Sequence, residues 1–252
     1  MFDTHAHYCD HAFDEDREEL LSRLFGEQGV TGIIEAGCDI EGSEAALALA
    51  SKYPGMYAAV GFHPEEVKKL KSGDIDRIKA LCAHPKAVAI GEIGLDYHYG
   101  TDNKEEQKAL LREQLALAAE LGKPVVIHER DCIADCVSIV FDYPVKGVFH
   151  SYSGSKETAA ELIKRGWYIS FSGTVTFKNA RTPVENAAFV PEDRILTETD
   201  CPYLTAHPYR GKRNDSGYMR YTIARLAEIR GTDFEHIERI TTENAKRLFG
   251  IG

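Results

Sequence analysis

The sequence predicts a single (β/α)8 barrel of the TIM type, and three observations support this fold class. The chain has 252 residues, a length at which one such barrel is typically built. Short apolar, β-branched runs recur about every 28 residues, close to the roughly 30 residues of one βαβ unit. Eight such runs occur, and eight strands close a barrel whose interior is filled by side chains. We therefore expect one barrel domain over residues 1–252.

Each predicted strand is a short apolar run followed by a helical pattern. Strands of a parallel sheet are covered on both faces, so they read as continuous apolar runs. The eight predicted strands are Phe2–His5, Val30–Ala36, Tyr57–Gly61, Ala87–Glu92, Pro124–His128, Gly147–His150, Trp167–Phe171 and Arg194–Asp200.

Helical periodicity separates several of these strands. Asn103–Leu121 places leucine and alanine at three- and four-residue spacings, which predicts one apolar helix face. Gly122 follows directly, as is common at the end of a helix. Three further helices are predicted, from Ser155 to Gly166, over Asp215–Ile229 and over Phe234–Phe249. The last of these is an additional helix at the C-terminus.

The main alternative fold is an open, doubly wound sheet. Such a sheet often carries a glycine-rich phosphate loop after its first strand, and neither G-x-G-x-x-G nor G-x-x-x-x-G-K-[ST] occurs there. The segment His5-Ala6-His7 stands there instead. This favours the barrel.

Composition and charge exclude several classes of protein. With 43% hydrophobic and 28% charged residues, the chain is typical of a globular protein. It has no run of apolar residues long enough for a membrane-spanning helix, and its first residues do not resemble a signal peptide. Six scattered cysteines suggest reduced thiols and a cytoplasmic location. A net charge of −10 argues against non-specific coating of a long polyanion.

Six polar residues lie at the ends of predicted strands. They are His5, His7, Glu92, His128, His150 and Asp200. His5 and His7 are two residues apart, so in a strand they face the same side. The other four follow apolar strands, where an unpaired charge or imidazole would be costly. The six residues are either unrelated buried polar groups bonded to the backbone, or a set that converges on the C-terminal rim of the barrel, where active sites lie. Four imidazoles and two carboxylates can hold two divalent cations if one carboxylate bridges them.

Short motifs run in order along nearly the whole chain and resemble those of a known family. They are Phe-Asp-Thr-His-Ala-His at 2–7, Gly-Phe-His-Pro at 61–64, Gly-Glu-Ile-Gly-Leu-Asp-Tyr at 91–97, Pro-Val-Val-Ile-His at 124–128, His-Ser-Tyr-Ser-Gly at 150–154, Glu-Thr-Asp-Cys-Pro-Tyr-Leu at 198–204, Arg-Gly-Lys-Arg-Asn at 210–214 and Asn-Ala-Lys-Arg-Leu-Phe at 244–249. Together they resemble the TatD family of metal-dependent hydrolases in the amidohydrolase superfamily. After Asn214 the family usually continues Glu-Pro, whereas this chain has Asp215-Ser216.

The resemblance implies a distorted barrel with two divalent cations per chain. One ion would be held by His5, His7, Glu92 and Asp200, and the other by Glu92, His128 and His150. Glu92 would bridge the two ions, because no lysine ends a strand and the carboxylated lysine of some superfamily members is therefore excluded. Imidazole-rich sites suit Zn, Fe, Ni or Mn, while Mg prefers oxygen ligands. Mg, Mn and Zn are the candidates that we carry forward.

The resemblance also implies a deoxyribonuclease that cleaves phosphodiester bonds at single-stranded or frayed 3′ ends. Asp200 is the expected general base, because a carboxylate beside the cations can accept a proton from the attacking water. The alternative for Asp200 is metal ligation alone. Glu92 is expected to act in catalysis as the bridging ligand. Glu198, two residues before Asp200, is expected either to orient a ligating histidine or to form a salt bridge at the rim.

A locally basic surface is expected to present the substrate, short or single-stranded DNA. Five cations follow the seventh and eighth strands: Lys178, Arg181, Arg210, Lys212 and Arg213. They can seat a few phosphates, or they form an ordinary solvated surface. The predicted substrate-binding residues are His63, Arg210, Lys212 and Arg213. Tyr203 and Tyr209 can stack on bases or pack at the rim. No membrane association and no obligate protein partner are predicted.

Two alternative functions remain at this point. The same metal site can act on a small ester, lactone, phosphotriester or amide, since fold alone does not decide the substrate. The five loop cations favour a nucleic acid over a small neutral substrate. The second alternative is a non-catalytic binding module ordered by metal, against which the intact carboxylates argue.

Overall fold

A computed structural model describes residues 1–252 and contains one sheet of eight strands, ordered along the sheet as they are along the chain. The strands are β1 (Phe2–Ala6), β2 (Gly32–Ala36), β3 (Met56–Val60), β4 (Ala87–Asp96), β5 (Val125–Arg130), β6 (Gly147–Phe149), β7 (Tyr168–Phe171) and β8 (Ile195–Thr197). Parallel pairing in this order is the topology of a (β/α)8 barrel. The predicted fold class is confirmed.

Nine α-helices accompany the strands. They are α1 (Arg17–Gly26), α2 (Ile40–Ala50), α3 (Asp74–Leu81), α4 (Lys104–Leu121), α5 (Ile133–Val140), α6 (Lys156–Lys164), α7 (Arg181–Phe189), α8 (Met219–Arg230) and α9 (Phe234–Phe249). A helix lies between each pair of consecutive strands, and α9 is the predicted additional helix at the C-terminus. None of the nine combines the length and the apolar composition that crossing a membrane requires.

The chain divides into two compact units, one made of Met1–Glu35 with His150–Gly252 and the other of Ala36–Phe149. We call them the terminal unit and the central unit. The expectation of one domain over residues 1–252 stays a prediction.

In the terminal unit, the backbone just beyond β8 is bonded to the end of β1. The amide of Asp200 donates to the carbonyl of His5 at 2.9 Å, and the amide of His7 donates to the carbonyl of Cys201 at 2.8 Å. Helix α9 is tied to β8 by Asn244, whose side chain donates to the carbonyl of Ile195 at 2.9 Å. Two polar strand ends are thereby brought together.

The start of α8 differs from its predicted start at Asp215. The Asp215 side chain accepts a hydrogen bond from the amide of Gly217 at 2.8 Å, which caps one turn of 3₁₀ helix over Ser216–Tyr218. Helix α8 begins only after that turn, at Met219. The capping aspartate therefore initiates the tighter turn first.

In the central unit, β4 and β5 form an extended pair. Their register runs as far as Asp96 beside Arg130, four residues past the predicted end of the fourth strand at Glu92. Gly94 makes the close approach of the two strands possible, because a Cβ there would lie 1.9 Å from the carbonyl oxygen of His128. Its φ of +156° also suits glycine.

Buried amide side chains tie α4 to the ends of the strands in the central unit. Gln114 accepts from the amide of Phe62 at 2.7 Å and donates to its carbonyl at 2.9 Å. Gln107 makes the same pair of bonds with the backbone of Asp96, each at 2.8 Å. Because both glutamines are buried, their satisfied amides fix the backbone at the end of β4 and after β3.

Candidate metal centre

A first candidate ligand group lies in the terminal unit, where β1 and β8 end. The Nε2 atoms of His5 and His7 are 3.0 Å apart. They lie 3.5 Å and 3.3 Å, respectively, from Oδ1 of Asp200. Imidazole nitrogen and carboxylate oxygen are donors that Zn²⁺ and related divalent cations take in proteins. Three such atoms converging on one point fit a divalent cation.

Asp200 is held in its ionised form. Burial alone would raise its pKa, but the hydrogen bond from His7 and the charges of His5 and His150 outweigh burial and lower the pKa. Its backbone φ is +60°, a left-handed conformation that aspartate and asparagine adopt more readily than most residues. Asp200 is therefore a carboxylate near neutral pH, directed at two imidazoles.

His150, the residue after β6, packs against this first group. Its ring stacks on that of His5 with centroids 4.1 Å apart, and its Nδ1 lies 3.2 Å from Oε1 of Glu198. Glu198 is fully buried, so this contact is not a salt bridge at the rim. A buried carboxylate that accepts from Nδ1 leaves Nε2 of the histidine as the ligating atom. The geometry favours the orienting role for Glu198.

A second candidate group lies in the central unit and consists of His63, Glu92 and His128. Nδ1 of His128 is 2.8 Å from Oε1 of Glu92, and Nε2 of His63 is 3.7 Å from the same oxygen. The side-chain donor atoms of the group lie within 4.8 Å of one another. The structure thus brings Glu92 and His128 together, as expected, and places His63 beside them.

The role of His63 follows from its hydrogen bonding. Its Nδ1 accepts from the amide of Glu65 at 3.2 Å, so in the neutral ring the proton is on Nε2. Nε2 is the atom that faces Glu92. His63 therefore presents a hydrogen-bond donor, which suits a substrate oxygen better than a cation.

Sequence reasoning missed Asp96, which lies at the end of β4. Its Oδ2 is 2.9 Å from Nε2 of His128, so His128 is held between Asp96 and Glu92. Burial alone would raise the pKa of Asp96, but hydrogen bonds, chiefly that from His128, outweigh burial and lower the pKa. The alternation of Glu92, Gly94 and Asp96 along one face of a strand was the available signal.

Asp3 is a second residue that the sequence did not single out. It lies in β1, and its buried carboxylate accepts from the amide and hydroxyl of Thr199 at 2.9 and 2.6 Å and from the hydroxyl of Ser216 at 2.7 Å. Thr199 precedes Asp200, so Asp3 fixes the backbone on which that candidate ligand is mounted.

Asp3 is expected to make folding dependent on pH. Burial raises its pKa to about 7 from the ordinary value of 3.8, despite its hydrogen bonds. Because the folded pKa lies above the unfolded one, the ionised form opposes folding, and stability is lost as the pH rises from about 4 to about 7. The neutral variant Asp3→Asn lacks this loss. The unfolding free energy of each metal-free protein is measured with urea at pH 4 and at pH 7.5. Between these two pH values, the unfolding free energy of the variant should rise relative to that of the parent by on the order of 4 kcal/mol. A pH course that is parallel in the two proteins would contradict the expectation.

The predicted basic loop after β8 lines a cleft of about 460 Å³ in the terminal unit, a volume within the usual range of ligand sites. Its lining includes Phe177, Tyr203, Arg210, Lys212 and Arg213. The Arg210 guanidinium lies 4.0 Å from the centroid of the Phe177 ring. Lys178 and Arg181 are not among the lining residues. The cleft thus combines cations with aromatic faces.

The cations of this cleft differ in their partners. Arg213 is committed to Asp16, with two nitrogen–oxygen distances of 2.8 and 2.6 Å, and this pairing lowers the pKa of Asp16. Lys212 lies over the ring of Tyr209 at 5.2 Å, and Arg210 lies over Phe177. Arg210 and Lys212 therefore contact aromatic rings rather than carboxylates and keep their charge available for an anion.

Comparison with known proteins agrees with this arrangement. The family model described as TatD related DNase matches residues 2–250. A Bacillus subtilis protein named as the uncharacterized metal-dependent hydrolase YabD is 45% identical, with 100% of this chain and 99% of that protein covered. A Citrobacter koseri protein named as the 3′-5′ ssDNA/RNA exonuclease TatD is 33% identical, with coverage of 100% and 99%. The crystal structure of the TatD homologue YjjV from Escherichia coli K12 superposes with a TM-score of 0.92 at 31% identity, covering 100% of this chain and 98% of that one. The chain therefore belongs to the TatD family of metal-dependent hydrolases.

Proposed function

We propose that this protein is a deoxyribonuclease that hydrolyses phosphodiester bonds at the 3′ ends of single-stranded or frayed DNA. The observation that carries the proposal is the position of the cleft relative to the first ligand group. The amide of Tyr203, which lines the cleft, donates to the carbonyl of Asp200 at 2.9 Å. A surface suited to phosphates and bases thus begins three residues from a candidate metal ligand.

The proposal requires two divalent cations, for which Mg, Mn and Zn are the candidates. Such ions, when bound, activate water and stabilise charge on the attacking and leaving oxygens of a phosphodiester. The proposed ligands are the six residues His5, His7, Glu92, His128, His150 and Asp200, with Glu92 as the shared carboxylate. Asp96 is proposed to orient His128, and Glu198 to orient His150, each by accepting a hydrogen bond from the imidazole.

Asp200 is the proposed general base. Its lowered pKa keeps it ionised near neutral pH, so it can accept a proton from water as the phosphodiester is attacked. Its side chain is 16% exposed, which leaves an approach for water and substrate. His63, whose Nε2–H faces Glu92, is proposed to donate to a phosphate oxygen.

The cleft is proposed to hold the strand end. Arg210 and Lys212 offer unpaired charges to phosphates, and Tyr203, which is 54% exposed, offers a ring face to a base. Hydrogen bonding of the Tyr203 hydroxyl to Asp10 at 2.9 Å fixes the ring. Arg213 contributes by pairing with Asp16, which anchors the loop. Two free cations suit a short stretch of strand, in keeping with the chain's net charge of −10.

A direct assay tests the proposal. Purified protein loaded with Mg²⁺ or Mn²⁺ is incubated with 5′-labelled single-stranded DNA, blunt duplex, RNA and an oligonucleotide blocked at its 3′ end. We expect stepwise shortening of the unblocked single strand from the 3′ end. If every oligonucleotide stays intact while a lactone, phosphotriester or small ester is hydrolysed, the alternative substrate class is correct.

Substitution of the two free cations should change the salt dependence of DNA cleavage. The plot of log(kcat/KM) against log[salt] has a negative slope. For each phosphate of a single strand that the protein no longer neutralises, this slope is expected to become shallower by about 0.7. We therefore expect Arg210→Ala and Lys212→Ala each to show a shallower slope with kcat little changed. Arg225→Ala removes an exposed arginine that pairs with Glu228 on α8 and serves as the matched control. Unchanged slopes in both cleft variants would remove these residues from the substrate site.

A further inference from the structure

The largest exposed aromatic surface of the molecule is Tyr99, in the central unit. The residue is 76% exposed and lies in the loop between β4 and α4. An exposed tyrosine is unremarkable by itself. What distinguishes Tyr99 is that its ring is held in place by two neighbours and lies close along the chain to Asp96, which contacts His128.

Arg130 covers one face of the Tyr99 ring. Its guanidinium carbon is 5.2 Å from the ring centroid, and its Nη1 donates to the Tyr99 hydroxyl at 3.4 Å. The edge of the ring meets His98, with centroids 5.0 Å apart at an interplanar angle of 85°. One face and one edge of the ring are thus occupied, yet the residue as a whole is mostly exposed. The opposite face of the ring is therefore open to solvent.

The two residues before Tyr99 are fixed by hydrogen bonds. The amide of His98 donates to Asp96 at 2.8 Å, and Nδ1 of His98 lies 2.9 Å from Oδ2 of Asp131. The Tyr97 hydroxyl donates to Asp135 at 2.9 Å. Tyr99 is therefore displayed on an ordered support, so that little conformational freedom would be lost on binding.

Arg130 stands next to the second ligand group. It follows His128 by two residues in β5, so the two side chains start from the same face of the strand, and its Cα is paired with that of Asp96. Its side-chain contacts are with the Tyr99 ring and hydroxyl. A guanidinium in this position can bind a phosphate through two parallel hydrogen bonds.

We propose that Tyr99 and Arg130 form a nucleotide-binding subsite, in which Tyr99 stacks on a base of single-stranded nucleic acid and Arg130 binds the adjoining phosphate. The subsite rests on the proposed function. It adds two contacts to the nucleic acid, and both come from residues of the central unit. Stacking on a tyrosine binds any base without sequence preference, because every base has a π-face. It also requires an unpaired base, so the subsite selects single strands over duplex.

The test separates stacking from charge and binding from turnover. Binding of a fluorescent single-stranded oligonucleotide is measured with Mn²⁺ present in the Asp200→Asn background, where cleavage is expected to be slower by about 10³-fold or more. Tyr99→Leu removes the ring, and we expect about ten-fold or greater weakening, the range known for base–aromatic stacking. Tyr99→Phe keeps the ring and should bind within about three-fold of the parent, whereas the same weakening for both variants would overturn the stacking role. Phe189→Leu, at an exposed aromatic on α7, is the control.

Arg130 has its own pair of variants. Arg130→Gln should reduce the slope of log Kd against log[salt] by about 0.7, and Arg130→Lys should restore the slope but bind more weakly, because it lacks the planar fork. In the otherwise unchanged enzyme, Tyr99→Leu should raise KM for single-stranded DNA and leave turnover of a small phosphodiester without a base unaffected.

The outcomes distinguish this inference from the proposed function. If the enzyme degrades DNA and Tyr99→Leu and Arg130→Gln behave like the parent, the subsite is wrong and the proposed function stands. If single strands bind through Tyr99 and Arg130 but are not cleaved, the subsite stands and the nuclease proposal fails. If the parent does not bind single-stranded nucleic acid at all, both are overturned.

Discussion

Replacing Asp200 by asparagine is expected to lower kcat for phosphodiester hydrolysis by about 10³-fold or more while the fold is retained. A positioned general base contributes roughly 10²–10⁴-fold, and the same change weakens one ligand of the first group. Asparagine has nearly the same shape and also tolerates the φ of +60° found here. The amide cannot accept a proton from water, and its neutral oxygen binds a divalent cation more weakly than a carboxylate does.

Single-turnover cleavage of labelled single-stranded DNA measures this effect, with circular dichroism melting as the check on folding. Asp193→Asn, at an exposed carboxylate that pairs with Arg194, is the matched control and should retain full activity. An Asp200→Asn enzyme within ten-fold of the parent would mean that Asp200 is not the base. If the parent and the variant bind DNA equally well and neither of them cleaves it, the non-catalytic binding module is favoured.

Removal of divalent cations is expected to lower the melting temperature substantially. A ligand present at 100 times its Kd stabilises the folded state by about 2.7 kcal/mol per site. In a protein of this size each kcal/mol shifts the melting temperature by roughly 2–4 °C. Saturating one of the two groups should therefore raise it by roughly 5–10 °C, and saturating both by roughly twice as much.

Thermal melts after chelation, followed by titration with Mn²⁺, Zn²⁺ and Mg²⁺, measure this stabilisation. His5→Ala and His128→Ala each remove a donor from one group, so each should keep only part of the shift. His236→Ala alters a histidine that pairs with Glu192 on the surface and should behave as the parent does. The shift should shrink as the pH falls, because protons compete with the cation for the imidazole nitrogens. Melting temperatures unaffected by chelator and cations would contradict the two-cation proposal.

The fold was predictable because its signal is local and repeated. Each strand is a short apolar run, and each run recurs at the length of one βαβ unit, so strand number and order follow from the chain alone. Strand ends were less predictable because they depend on pairing partners. Strand β4 continues past Glu92 to Asp96 since β5 pairs with it that far, and the turn capped by Asp215 delays α8 to Met219.

The candidate site was predictable where a polar residue interrupts an apolar pattern. His5, Glu92 and His128 are of this kind, and the structure places each beside other donor atoms. Residues whose role depends on distant partners gave no such signal. Arg210 and Arg213 look equivalent in the sequence, yet Arg213 pairs with Asp16, 197 positions away. Tyr99 had no signal in the sequence either. Its contact with Arg130 forms only when the ends of β4 and β5 pair side by side.

The tight contact at Gly94 sets a limit on redesign of this enzyme. Any larger residue there would have to push the carbonyl of His128 away, since even a methyl carbon would lie 1.9 Å from that oxygen. The displaced peptide would carry the His128 imidazole out of line with Glu92 and Asp96. A mutagenesis library aimed at new substrates should therefore vary Tyr99, Tyr203 and the cleft cations freely while leaving position 94 untouched.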